Sequence, residues 1–191
     1  MAALPLITPL PTRHPQSCAS LSLPLFALLN EILPPPPSLT LSIGSGPGLL
    51  EATFLSVYPH RATTNPTSFF GVEVTSPDSR LVNRYLPEQN SLVVSGTWAV
   101  AREIKEAEGL VFVYPRQKGL IGTYLERGAR VGVVVWIGPR CDEEEMLGPL
   151  KEWGAEERVE GRGELVEAGE RVVVFWRRPG VQEEERMVDR I

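Results

Sequence analysis

The sequence predicts one α/β domain, a three-layer αβα sandwich whose mostly parallel, seven-stranded sheet ends in an antiparallel hairpin. Three observations predict it. From residue 38 to residue 153, short apolar runs alternate with helix-like stretches, the pattern of a parallel sheet covered on both faces. A glycine cluster, Gly44, Gly46 and Gly48, joins the first apolar run directly to a helical one. The last two strand-like runs, 156–160 and 171–177, are separated by a Gly- and Glu-rich turn without a helix, as an antiparallel pair at a sheet edge requires.

Size and composition agree with this architecture. A chain of 191 residues with 42% hydrophobic and 23% charged residues is long enough for one well-filled core and short for two. A net charge of -5 argues against a general electrostatic grip on nucleic-acid phosphates, which needs clustered Lys and Arg. Cys18 and Cys141 are the only cysteines, so neither a disulfide framework nor a zinc site is expected, and a reducing compartment is. No apolar run reaches the roughly 18 residues of a membrane span. The expected location is cytoplasmic. The Ser- and Arg-containing, acid-free first residues leave a mitochondrial transit peptide as the alternative.

In chain order, residues 1–20 read as a proline-punctuated, flexible or draped arm. A leading helix over 21–33 tolerates Pro24 in its first turn and is ended by the proline run 34–37. Strands are expected at 38–43, 68–74, 91–95, 109–114 and 130–137, alternating with helices at 49–57, 79–85, 98–107, 120–127 and 142–153. The single domain spans 21–180, and residues 181–191 form an acidic, solvated tail.

The glycine turn is the strongest local signal. Glycine permits the positive φ of a sharp strand-to-helix turn and lets a ligand approach the backbone, while the helix that follows offers unpaired amides to an anion. The spacing is G-x-G-x-G, whereas dinucleotide enzymes favour G-x-G-x-x-G. Roughly thirty residues on, the run FFGVEV places Glu73 near the end of the second strand, where a carboxylate can accept hydrogen bonds from two ribose hydroxyls.

Over roughly residues 39–177 this arrangement resembles the class I, Rossmann-like S-adenosylmethionine-dependent methyltransferases. The resemblance implies S-adenosylmethionine as cofactor, held by Ser42, Gly44, Ser45, Gly46, Gly48, Glu73, Thr97 and Trp98. It also shows departures. Ser42 stands where many members carry an acid, and Ser95, Gly96, Thr97 and Trp98 occupy the place of an adenine-binding acid. Thr97 is then a hydroxyl contact, and Trp98 a ring packed on the adenine face.

The end of the fourth strand faces the methyl group in such a fold and reads Tyr114-Pro115-Arg116. It lacks the amide or acid that precedes Pro in members acting on bases or glutamine. Tyr114 is the candidate for orienting an acceptor and Arg116 for holding an anionic one. Neither His14 nor His60 is placed for catalysis, and no metal spacing is visible. The expected activity is methyl transfer to a small molecule or a protein side chain. The alternative is a non-catalytic scaffold or subunit of a protein complex.

Overall fold

A computed structural model describes residues 3–62, 67–75, 82–158 and 164–177. Helix α1 (Leu23–Ile32) begins where the Ser22 side chain accepts the Leu25 amide, with Pro24 in the first turn, where a missing N–H does no harm. It leads through the proline run to strand β1 (Leu39–Ile43), the glycine turn, helix α2 (Leu49–Val57) and β2 (Phe69–Val74). Strands β3 (Ser91–Val94) and β4 (Ala107–Val113), helix α3 (Lys118–Arg127) and strand β5 (Val133–Pro139) follow. Two short helices, α4 (Glu143–Met146) and α5 (Gly148–Trp153), then lead into β6 (Gly154–Arg158) and β7 (Glu170–Arg177).

The sheet has seven strands in the order β3-β2-β1-β4-β5-β7-β6. The first five are parallel, and β7 runs antiparallel between β5 and β6. Two-residue alternation builds both layers of core. Val111 and Val113 of β4, with Val135 and Ile137 of β5, pack against α1 and α2. Leu110, Phe112, Val134 and Trp136 point the other way, onto α3, α5 and the buried Phe175 of β7. Among the described residues no helix is long and apolar enough to cross a membrane.

Three of the expected helices differ. The helix expected at 98–107 is replaced by a loop with one 3-10 turn, Arg102–Lys105. Strand β4 starts at Ala107, paired with Leu39, and the Ala101 amide is taken by the Tyr124 hydroxyl at 3.1 Å. Sheet pairing and this tether leave too little chain for a helix. The helix expected at 142–153 is split, because Pro149 has no amide to donate and opens α5 as a new first turn. Of the helix expected at 79–85, residues 79–81 lie outside the described residues, as does the tail 181–191, and residues 82–85 form a turn. Asn83 has φ 49° there, which no α-helix contains.

The arm is draped over the sheet end. Thr12 and Leu21 exchange backbone hydrogen bonds at 3.0 Å, and the Leu23 amide reaches the Thr8 carbonyl at 2.9 Å.

Candidate functional site

A pocket of about 460 Å³ opens beyond the carboxyl ends of β1, β2 and β4, where parallel sheets of this kind bind ligands. The volume lies within the roughly 300–1,000 Å³ of small-molecule sites. Its floor is the glycine turn. Gly44, Gly46 and Gly48 have φ of 84°, 56° and 79°, so the reason the sequence needs glycine here is conformational at each position. The turn is anchored by the Gly44 amide, which donates to the Val72 carbonyl of β2 at 3.0 Å.

Glu73, at the end of β2, forms one wall. Its Oε2 accepts the Gly46 amide and its Oε1 accepts the Val74 amide at 2.8 Å. Each carboxylate oxygen has a second lone pair, so the side chain is held in place and still has capacity for two hydroxyl donors. Beyond Gly46 the space is open: a Cβ placed there would meet nothing within 4 Å.

Of the expected site residues, Gly44, Gly46, Glu73, Thr97, Tyr114 and Arg116 share this pocket. The other four stand outside its walls. Ser45 is buried beneath the turn with its hydroxyl donated to Asn83 Oδ1 at 2.6 Å, and Gly48 caps α2. Trp98 is 76% exposed and lies against the backbone of Gly96. Ser42 is fully buried and points to the other side, donating to Glu51 Oε1 of α2 at 2.7 Å. An even-numbered position of β1 faces the α1 and α2 layer, so its side chain cannot reach over the turn.

Tyr114 adopts φ 49°, in the left-handed region, with its amide bonded to the Ile137 carbonyl at 2.8 Å. Its hydroxyl donates to Glu170 of β7. Burial, and then the Glu170 carboxylate, push the phenol above its ordinary range, so Tyr114 serves as a neutral hydroxyl. Arg116 is exposed at the rim. Cys18 of the arm forms the wall beside it, its thiol pushed up by burial and opposed by the Arg116 charge. Among the described residues no group of three or more His, Cys, Asp or Glu could hold a metal.

Sequence reasoning missed Asn83. Its Nδ2 donates to the Gly71 carbonyl at 3.2 Å and to Ser91 Oγ at 2.9 Å. Its amide donates to the Gly46 carbonyl at 2.9 Å. This buried side chain therefore ties the turn to β2 and β3. Asparagine tolerates left-handed φ better than other non-glycine residues, and that preference is the one local signal that could have found it. Asn83→Ala is expected to destabilise the protein by about 2–3 kcal/mol in urea denaturation, since it strands buried acceptors and adds left-handed strain. A loss within a few tenths would show that the clamp is dispensable.

The antiparallel β7 inserted beside β5 separates this sheet from the all-parallel 3-2-1-4-5-6 order of dinucleotide enzymes. The fold is Rossmann-like, a mostly parallel sheet with an antiparallel C-terminal pair, and it is shared with solved methyltransferase structures. Among solved structures, the chain is similar to a precorrin-6y methyltransferase from Geobacter metallireducens. The TM-score is 0.54 at 12% identity, covering 86% of this chain and 98% of that one. A dimethyladenosine transferase from Plasmodium falciparum matches with TM-score 0.52 and 14% identity, over 85% of this chain and 62% of that one. The methyltransferase domain of bacterial CtHen1-CN matches with TM-score 0.51 and 12% identity, over 78% and 94%. No protein-family model and no curated protein matches the chain.

Proposed function

We propose that the protein binds S-adenosylmethionine in this pocket and transfers its methyl group to a small molecule or a protein side chain. The observation that carries the reading is the left-handed Gly44 to Gly46 turn standing opposite the tethered Glu73 carboxylate across an open volume. Gly46 leaves room for a ligand against the backbone, and Glu73 supplies acceptors for a pair of hydroxyls. When bound, the cofactor supplies an activated methyl group on a sulfonium, so displacement needs alignment and no covalent enzyme intermediate. The chain's own contribution is to orient and to exclude water. Thr97 offers a hydroxyl on the wall, Tyr114 a neutral hydroxyl at the end of β4, and Arg116 a cation for an anionic acceptor. The structural neighbours are named for different acceptors, so the fold does not choose among them.

Calorimetric titration with S-adenosylmethionine and S-adenosylhomocysteine tests the reading. Both are expected to bind, and Glu73→Ala is expected to weaken them about 10–100-fold, the worth of charge-assisted hydrogen bonds. Absence of binding by the intact protein would overturn the cofactor assignment. The second reading, a non-catalytic scaffold within a protein complex, is favoured by the commitment of the Tyr114 hydroxyl to Glu170. Binding without transfer of labelled methyl to any small molecule or peptide acceptor would support it.

A further inference from the structure

Glu170 opens β7 opposite Pro139, and because β7 runs antiparallel, this start lies at the same sheet end as the pocket. The residue is 3% exposed, yet it is a carboxylate with five donors around it. Oε1 accepts the Tyr114 hydroxyl and Arg13 Nη2, the latter at 2.9 Å. Oε2 accepts the Ser20 hydroxyl and, at 3.3 Å, the Glu167 amide. The Ser20 amide lies 3.2 Å from both oxygens. Two of these partners, Arg13 and Ser20, flank Cys18, which forms a wall of the pocket, and a third, Tyr114, forms another. A buried carboxylate is tolerated only when its oxygens are satisfied, so removing its charge releases partners on both sides at once.

We propose that Glu170 is a positioning residue: it fastens the arm across the pocket and holds Tyr114 at its rim, making the Cys18 wall a fastened strap. The arm is also held at its base by the Thr12 and Leu21 pair and the Leu23 to Thr8 contact, and beside Glu170 by the Glu167 amide, which donates to the Ser20 hydroxyl at 2.9 Å, and by an Arg13–Glu167 ion pair at 3.5 Å. Glu170 gathers most of the polar contacts that hold the stretch from Arg13 to Ser20, with both ends of that stretch on one carboxylate. Ligand retention in the pocket therefore depends on Glu170, although Glu170 is not itself one of the pocket's walls. The second consequence rests on the cofactor reading above; the fastening of the arm does not.

The full chain is compared with Glu170→Gln and with Arg13→Ala/Ser20→Ala by hydrogen–deuterium exchange, and by stopped-flow release of S-adenosylhomocysteine. Glu170→Gln is expected to speed exchange of the 12–21 amides at least tenfold while β4 and β5 amides stay at their original rates. Release should quicken by a similar factor. The Arg13→Ala/Ser20→Ala variant leaves the Tyr114 contact in place and should reproduce the arm's faster exchange. Adding Glu170→Gln to it should loosen the arm by less than Glu170→Gln does in the unaltered chain, since only the residue-20 amide contact is then left to weaken. Unchanged arm exchange in Glu170→Gln, or equal acceleration of arm and strands, overturns the proposal; if Glu170→Gln fails to fold, the arm variant decides. Failure of S-adenosylhomocysteine to bind the unaltered protein defeats the cofactor reading alone, and arm exchange then judges the fastening.

Discussion

Gly46→Trp is expected to abolish binding of S-adenosylmethionine in a protein that still folds, whereas Gly44→Val is expected to lose the fold itself. The two positions share a turn and a left-handed φ, and differ in what surrounds them. At Gly46 an added Cβ meets nothing within 4 Å, so a side chain costs about 1–2 kcal/mol of backbone strain and projects into the open volume. A tryptophan there occupies the space a ligand would take. At Gly44 the Cβ would stand 2.7 Å from the Val113 carbonyl of β4, an atom that cannot retreat without opening the β1 and β4 ladder. Overlap with backbone, added to the strain of a β-branched residue at positive φ, makes a loss above roughly 3 kcal/mol the expectation. Calorimetric binding and urea denaturation of the two variants separate these effects. A Gly46→Trp protein that binds as the original does would mean that no ligand uses the turn.

The second large effect concerns Glu51, which is fully buried in the first turn of α2. Burial raises its carboxyl to about 7, against the opposing pull of the Ser42 hydroxyl and its own amide, with the Glu73 charge raising it a little further. Its Oε2 is buried without a hydrogen bond among the described residues. The folded protein thus holds a proton that the unfolded chain releases near pH 4.5. Stability from this group is full below that pH, declines as the pH rises toward 7, and is gone above it. A shift of this size corresponds to a difference on the order of 3 kcal/mol. Glu51→Gln keeps the shape and removes the titration. The gap between variant and original in urea denaturation should therefore widen in the variant's favour from pH 4.5 to pH 8. Parallel stability curves would show that Glu51 does not hold that proton.

What could be read in the chain and what could not divides by distance along it. The G-x-G-x-G turn, the acid at the end of β2, the apolar runs of β4 and β5 and the helix-free ending were legible. Each expresses a local rule: positive φ selects glycine, and a core on both faces of the sheet selects unbroken apolar runs. The same rules misled at 98–107, where a helical pattern exists but β1 claims Ala107 and Tyr124 claims Ala101. They misled at Ser42 as well, since proximity to the turn in sequence does not say which face of the sheet a side chain takes. The fold class and the floor of the pocket were therefore determined by the sequence alone. Its walls were decided by tertiary structure: Tyr114 meets Glu170 across 56 residues and Arg13 meets it across 157. No periodicity or spacing encodes such pairs, because they come together only when the antiparallel β7 brings its first residue to the ligand-binding end of parallel strands.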